Sequence, residues 1–184
     1  PLNPLPPSSR FLGPGVYALY YLGKFDLYTP LATANQEECK WPIYVGKAVP
    51  PGWRTGRATS SPSSVLYSRL REHFHSIDQT KNLKPDDFHC RYMLLKDAET
   101  DLIGTIEAAL IRTYQPIWNT TIDGFGNHDP GSGRYEQSPS EWDTLHPGRV
   151  WAARLKGTAP QLDGIRREAR EELQRIFRSS TTAS

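Results

Sequence analysis

Two short runs rich in β-branched and aromatic residues, Val16 to Leu22 and Pro42 to Val49, constrain the fold most. Each is bounded by Gly and Pro, and runs of that composition and length form strands. Two such strands joined by a loop make an antiparallel pair. Tyr17, in Gly15-Val16-Tyr17, and Tyr44, in Ile43-Tyr44-Val45-Gly46-Lys47, fall near equivalent places in the two runs. Their phenols are therefore expected to meet across the pair, with the register left open by the segment between them. That segment, roughly Gly23 to Lys40, is longer than an ordinary hairpin loop and reads as an extension of the hairpin.

The remaining pattern is mixed. Residues 1–13 are Pro-rich and are expected to lie over the surface as an extended arm. After the second run, Gly, Pro and Ser are dense through Ser64, which predicts a mobile loop. Leu66, Leu70, Phe74 and Ile77 then recur at helical spacing, giving a helix from Val65 to Ile77. A turn at Pro85 leads into a third strand, Phe88 to Leu95. Thr100 or Asp101 reads as the N-cap of a second helix that ends near Tyr114, before Pro116. Residues 119–149 are rich in Gly, Asp, Asn and Pro and read as a long functional surface loop with a short helix near Ser140. A short strand is expected from Arg149 to Leu155. An amphipathic helix follows from Pro160 to Phe177, with Leu162, Ile165, Ala169, Leu173 and Ile176 on one side and a disordered tail behind it. Strand, strand, helix, strand, helix implies an α+β fold, a small antiparallel sheet with helices packed on it.

A chain of 184 residues is long enough for one domain with a real core. No apolar run reaches membrane length, and no signal-peptide pattern opens the chain. The formal net charge of +2 permits a nucleic-acid partner without requiring one. Cys39 and Cys90 fit no CxxC spacing and read as reduced thiols of a cytoplasmic protein.

Several side chains stand out chemically. On a wheel of about 100° per residue, Leu102, Ile103, Ile106, Leu110 and Tyr114 form one apolar arc, and Glu107 falls inside it. A carboxylate there requires an ion-pair partner, a bound cation or an edge that reaches water. Arg69 and His73, four apart, share the border of the first helix's apolar stripe. They face either a cleft or solvent. Asn119 sits where a helix exit ordinarily carries a cap or turn residue.

Taken together, these residues resemble a known pattern. Gly15-Val16-Tyr17, Tyr44-Val45-Gly46-Lys47 and the stretch Ile106 to Asn119 resemble the GIY-YIG nuclease family, with Val for Ile in both motifs. Tyr17, Tyr44, Arg69, His73, Glu107 and Asn119 occur in the family's order, over residues 13–119. The resemblance implies a GIY-YIG fold over a single domain, with a catalytic core of about 13–119, an arm at 1–12 and a recognition or dimer region at 120–184. Within the family, the chain resembles type II restriction endonucleases that cut the palindrome CCGCGG. That implies metal-dependent hydrolysis of double-stranded DNA to 5′-phosphate ends, by a homodimer in a bacterial cytoplasm.

The implied roles follow residue by residue. Glu107 holds a single Mg²⁺ or Mn²⁺, and Arg69 clamps the phosphate. Tyr17 is the general base, either with its pKa lowered by Arg69, Lys47 or a metal, or by passing its proton on. Tyr44 and His73 orient phosphate and water, and Asn119 anchors near the metal. Tyr20, Tyr21, Tyr28, Tyr67, Tyr92 and Tyr114 read as core residues. Trp53, Arg54 and Arg57 before the first helix, and Asn127, His128, Arg134 and Arg149 after the second, are the candidate DNA readers. Each either reads a base edge, as Arg reads guanine, or touches only phosphate or solvent. The C-terminal helix either forms a dimer contact or completes the core. A homing or repair-type nuclease module and a non-catalytic DNA-binding module are the rival readings.

Overall fold

A computed structural model describes residues 1–50, 52–53 and 63–181, with side chains through Phe177. Arg54, Arg57 and most of the Ser/Thr-rich stretch lie outside the described residues, as do the last three of the tail. Four strands form one antiparallel sheet in the order β1-β4-β2-β3: β1 Asn3–Pro4, β2 Gly15–Tyr21, β3 Tyr44–Ala48 and β4 Phe88–Leu94. The N-terminal arm is thus partly a sheet element, and Leu5 behind it is buried. This α+β architecture is the expected one.

β2 is covered on both faces, so it reads as a nearly continuous apolar run rather than an alternation. Tyr17, Leu19 and Tyr21 face the main core. That core also takes α1 (Thr29–Ala34), α2 (Val65–Asp78), α4 (Ile117–Thr120), α5 (Glu141–Leu145) and α6 (Leu162–Thr181). Val16 faces the other side, where Leu95 and Ile103 make a small second cluster under α3 (Ile103–Tyr114). Two glycines let the sheet close. A Cβ on Gly15 would lie 2.0 Å from the Met93 carbonyl oxygen of β4, and one on Gly46 would lie 2.3 Å from the Tyr17 phenol oxygen. No side chain fits at either place.

Three sequence expectations need correction. The segment before β3 does not extend the hairpin: a 3-10 turn at Asp26–Tyr28 leads into α1, and Leu27, Tyr28, Leu31 and Ala32 all enter the core. Residues 119–149 are a surface loop only in part: 127–138 are mainly exposed and the short helix expected near Ser140 is α5, but the ends of the stretch are buried. They carry Ile122, Phe125, Trp142, Leu145, His146 and Arg149 into the interior, because large aromatic groups gain more from burial than irregular backbone loses. The expected strand at Arg149–Leu155 is a pair of turns with a 3-10 segment at Ala152–Arg154.

The other elements are close to expectation. α2 buries Leu66, Leu70 and Ile77, as its period requires. α6 turns Ile165, Ala169 and Leu173 into the main core, so its apolar stripe is covered by its own chain. α3 buries only Ile103, and Leu102 of its expected apolar arc is 52% exposed. No helix among the described residues is long and apolar enough to cross a membrane.

Candidate active site

The register of β2 and β3 decides how the two motif tyrosines meet. Tyr17 stands opposite Gly46 and Leu19 opposite Tyr44, so the phenols are diagonal neighbours on one face. Their ring centroids are 6.2 Å apart. Gly46 provides the floor for the Tyr17 ring, which explains a Gly two positions after Tyr44.

α2 delivers the next pair. His73 is not at a solvated border; it is 2% exposed and faces Tyr17 and Tyr44. The Tyr17 hydroxyl and His73 Nε2 are 2.6 Å apart. Phe125 lies flat against the imidazole at 4.5 Å. Burial, reinforced by Arg69, holds the His73 pKa well below its ordinary 6.5, so the ring is neutral and its Nε2 can accept the phenol proton. Burial and the neighbouring Tyr44 also push the Tyr17 pKa well above 10, against the pull of Arg69. Arg69 pulls the Tyr17 pKa down, as expected of a nearby cation, but burial outweighs that pull.

Arg69, one turn before His73, is fixed by three partners. Nη1 donates to Glu72 Oε2 at 2.9 Å and to His128 Nε2 at 2.5 Å, and Nη2 donates to the Gly126 carbonyl at 2.9 Å. Its charge acts on both phenols. His128, a candidate DNA reader, therefore stands at the mouth of the tyrosine cluster.

Glu107 is not aimed into the core. It lies on the α3 side of β3, partly exposed, and its Oε2 accepts from Lys47 Nζ at 2.6 Å. The partner is a lysine on the strand next to Gly46, not a buried arginine. Among the described residues β3 is the edge strand of the sheet. The Glu107 charge raises the pKa of Tyr17 and of Tyr44. Glu107 thus acts on both phenols from the α3 side of β3, while Tyr17 faces the main core.

Asn119, on α4, binds the backbone of β3. Its Oδ1 accepts from the Val45 amide at 2.7 Å and its Nδ2 donates to the Val45 carbonyl at 2.8 Å. The carboxamide thus satisfies the free edge of β3 between Tyr44 and Gly46, as a neighbouring strand would. Arg149, expected to read DNA, is 1% exposed. Nε and Nη2 bind Asp143 at 2.6 and 2.8 Å, and Nη1 and Nη2 donate to the carbonyls of Gly124, Phe125 and Asn127. Its guanidinium carbon also lies 4.6 Å from the ring centroids of both Trp142 and Trp151. A group so engaged is an anchor for the 124–127 loop. Trp53 is half-buried, its amide donating to the Pro50 carbonyl, and Arg134 is exposed.

Residues 9–173 match the family model described as the Eco29kI GIY-YIG domain. The chain belongs to this family. It is a GIY-YIG nuclease of the restriction type, acting on DNA. No curated protein matches the chain. Within the GIY-YIG frame, Phe125, Gly126, Glu72 and the Asp143–Arg149 pair are the groups that motif reading missed. Phe125 and Trp142 carried the available signal, since large aromatics in a Gly- and Asp-rich stretch argue for burial.

One property of the site bears on a metal. Among the described residues no group of three or more His, Cys, Asp and Glu side chains is placed to cage an ion. Glu107 alone suits a hard cation that keeps most of its waters and shares a substrate phosphate oxygen. The carboxylate already accepts a cation, the Lys47 ammonium, so the position fits.

Proposed function

We propose that this GIY-YIG domain is a type II restriction endonuclease that hydrolyses double-stranded DNA at a short G·C-rich palindrome, CCGCGG, as a homodimer. The observation that carries the chemistry is the buried 2.6 Å contact between the Tyr17 hydroxyl and His73 Nε2, beside Arg69. An attacking water gives its proton to the Tyr17 oxygen while the phenol gives its own to His73 Nε2. Hydroxide then adds to phosphorus and the P–O3′ bond breaks. The departing 3′ oxygen takes a proton from solvent water, and His73 releases its proton to solvent, so the products are a 5′-phosphate and a 3′-hydroxyl. Tyr17 begins and ends neutral, so its raised pKa is no obstacle, and the neutral imidazole holds the proton only transiently because burial lowers its basicity.

Arg69 stabilises the charge that gathers on the non-bridging oxygens. To reach the phosphate it exchanges contacts with Glu72, His128 and the Gly126 carbonyl. Glu107 would hold Mg²⁺ or Mn²⁺, which supplies Lewis-acid stabilisation of the departing 3′ oxygen. Lys47, released from Glu107, then offers its ammonium to the same phosphate. Tyr44 shields the Tyr17–His73 pair from bulk water, and Asn119 holds β3 in register beneath both motif residues. A two-fold pair of such sites cuts both strands of a palindrome.

Supercoiled plasmid incubated with the full chain in Mg²⁺ tests this reading. The expected result is linear product of fixed sequence at its ends, abolished by EDTA. Retained DNA binding with no nicking in Mg²⁺ or Mn²⁺ would make the chain a binding module instead.

A further inference from the structure

A cavity of about 380 Å³ opens beside His128, the residue that meets Arg69. It is lined by Asn127, His128, Arg134, Gln137, Ser138 and Trp151 among others, and it falls within the size range of small-ligand pockets. His128 belongs to both places: one side of it meets Arg69 and the other lines this pocket. Whatever occupies the pocket therefore lies next to whatever phosphate Arg69 holds.

The lining is chemically unspent. Among the described residues, the side chains of Asn127, Arg134 and Gln137 have no hydrogen-bond partner, and all three are exposed. The two carboxylates at the rim are already used. Asp129 accepts from the Gly131 amide and from the Tyr135 hydroxyl, and Asp143 from Arg149. Trp151 supplies an aromatic wall whose ring is fixed by the Arg149 guanidinium against it. The rim is equally firm: Lys156 donates its amide to the Tyr135 carbonyl and Gly157 donates to that of Gln137.

Free planar amides, a free guanidinium and a fixed aromatic face are the groups that recognise a nucleobase by its edge and its π surface. We infer that this pocket receives a nucleobase of the substrate DNA adjacent to the scissile phosphate, and that Arg134, with Asn127 and Gln137, selects which base it is. The inference rests on the reading of the chain as a DNA-cutting enzyme. It adds a route from sequence to chemistry. Asn127 and His128 are continuous with Gly126 and Phe125, which touch Arg69 and His73, and Arg149 grips the Gly124, Phe125 and Asn127 carbonyls together with Asp143. A correctly filled pocket sets the loop that holds Arg69.

The test is a selection of bound duplexes from a random-sequence library, with Ca²⁺ in place of Mg²⁺ so that DNA is recovered intact. The full chain is compared with Arg134→Ala and Gln137→Ala, exposed positions whose replacement leaves the core untouched. Wild type is expected to enrich one motif, and each variant to lose at least tenfold of the discrimination at one position of each half-site while keeping the rest. Identical motifs and discrimination in all three proteins would overturn the assignment, as would the absence of any enriched motif with wild type. The selection does not depend on cutting. If plasmid stays uncut in Mg²⁺ while the selection behaves as stated, the nuclease reading fails and the pocket stands.

Discussion

Replacing Arg149 by Met tests how the GIY-YIG site is held in shape. The side chain is 1% exposed, and its loss leaves the Asp143 carboxylate, itself buried, with Ser140 as its remaining side-chain donor. The backbone carbonyls of Phe125 and Asn127 lose their donor at the same time, and that of Gly124 keeps only the Asn127 amide. Breaking one half of a buried ion pair costs about 3–5 kcal/mol, chiefly because the other charge stays behind. At about 2–4 °C per kcal/mol for a domain of this size, melting should fall by roughly 6–20 °C. If the penalty comes from the stranded charge, removing Asp143 as well must recover part of it. Thermal and urea unfolding of Arg149→Met, Asp143→Leu and the double variant should show the double variant at least about 2 kcal/mol more stable than the sum of the single changes predicts. An Arg149→Met protein melting within 2 °C of wild type, or strictly additive costs, would refute the anchoring role (about 1 kcal/mol or less).

Three further outcomes follow from the same geometry. Gly46→Ala places a Cβ 2.3 Å from the Tyr17 phenol oxygen, so the ring must leave His73; the variant should lose about 1–3 kcal/mol of stability and about 100-fold in cleavage rate, and near-normal cleavage would mean that the Tyr17–His73 contact is dispensable. Asn119→Ala removes both partners of Val45, so hydrogen exchange at the Val45 amide should accelerate at least tenfold, and unchanged protection would show that something else covers this edge. Acid should destabilise the fold. The His146 pKa is pushed down to about 3, by burial first and then by the Arg166 charge, and His73 is lowered in the same sense. Below pH 6.5 the unfolded chain takes up protons that these folded histidines refuse, so their contribution is intact above pH 6.5 and shrinks as the pH falls towards 3. For His146 alone the slope is about 1.4 kcal/mol per pH unit, and unfolding free energies that stay flat between pH 6.5 and 4.5 would contradict it.

The residues proposed to do chemistry were more legible in the sequence than the residues that position them. Tyr17, Tyr44, Arg69, His73 and Glu107 are spaced by regular elements, whose periods place side chains on faces. Their surroundings are set by the 119–149 stretch, where no period exists and backbone groups find partners only in three dimensions. Arg149 looked like an exposed reader because a composition of Gly, Asp and Asn reads as a loop; nothing local says that Asp143 waits six residues away in the interior. Trp142 and Phe125 were the visible warnings. The α1 region is different, since Leu27 and Leu31, with Tyr28 and Ala32, repeat four apart and predict a helix that the hairpin reading overlooked. Glu107 was singled out for its place in an apolar arc, yet α3 is only shallowly buried, and its partner on β3 depends on sheet register, which a sequence of this kind does not reveal.

The Tyr17–His73 proton path is the claim on which the chemistry depends. Single-turnover cleavage of a supercoiled plasmid by Tyr17→Phe, with DNA affinity measured alongside in Ca²⁺, tests it most directly. The phenylalanine ring keeps the packing over Gly46 and removes only the hydroxyl that meets His73 Nε2. The rate should fall by at least about 100-fold with affinity within about twofold. Cleavage within about threefold of wild type at equal affinity would contradict it.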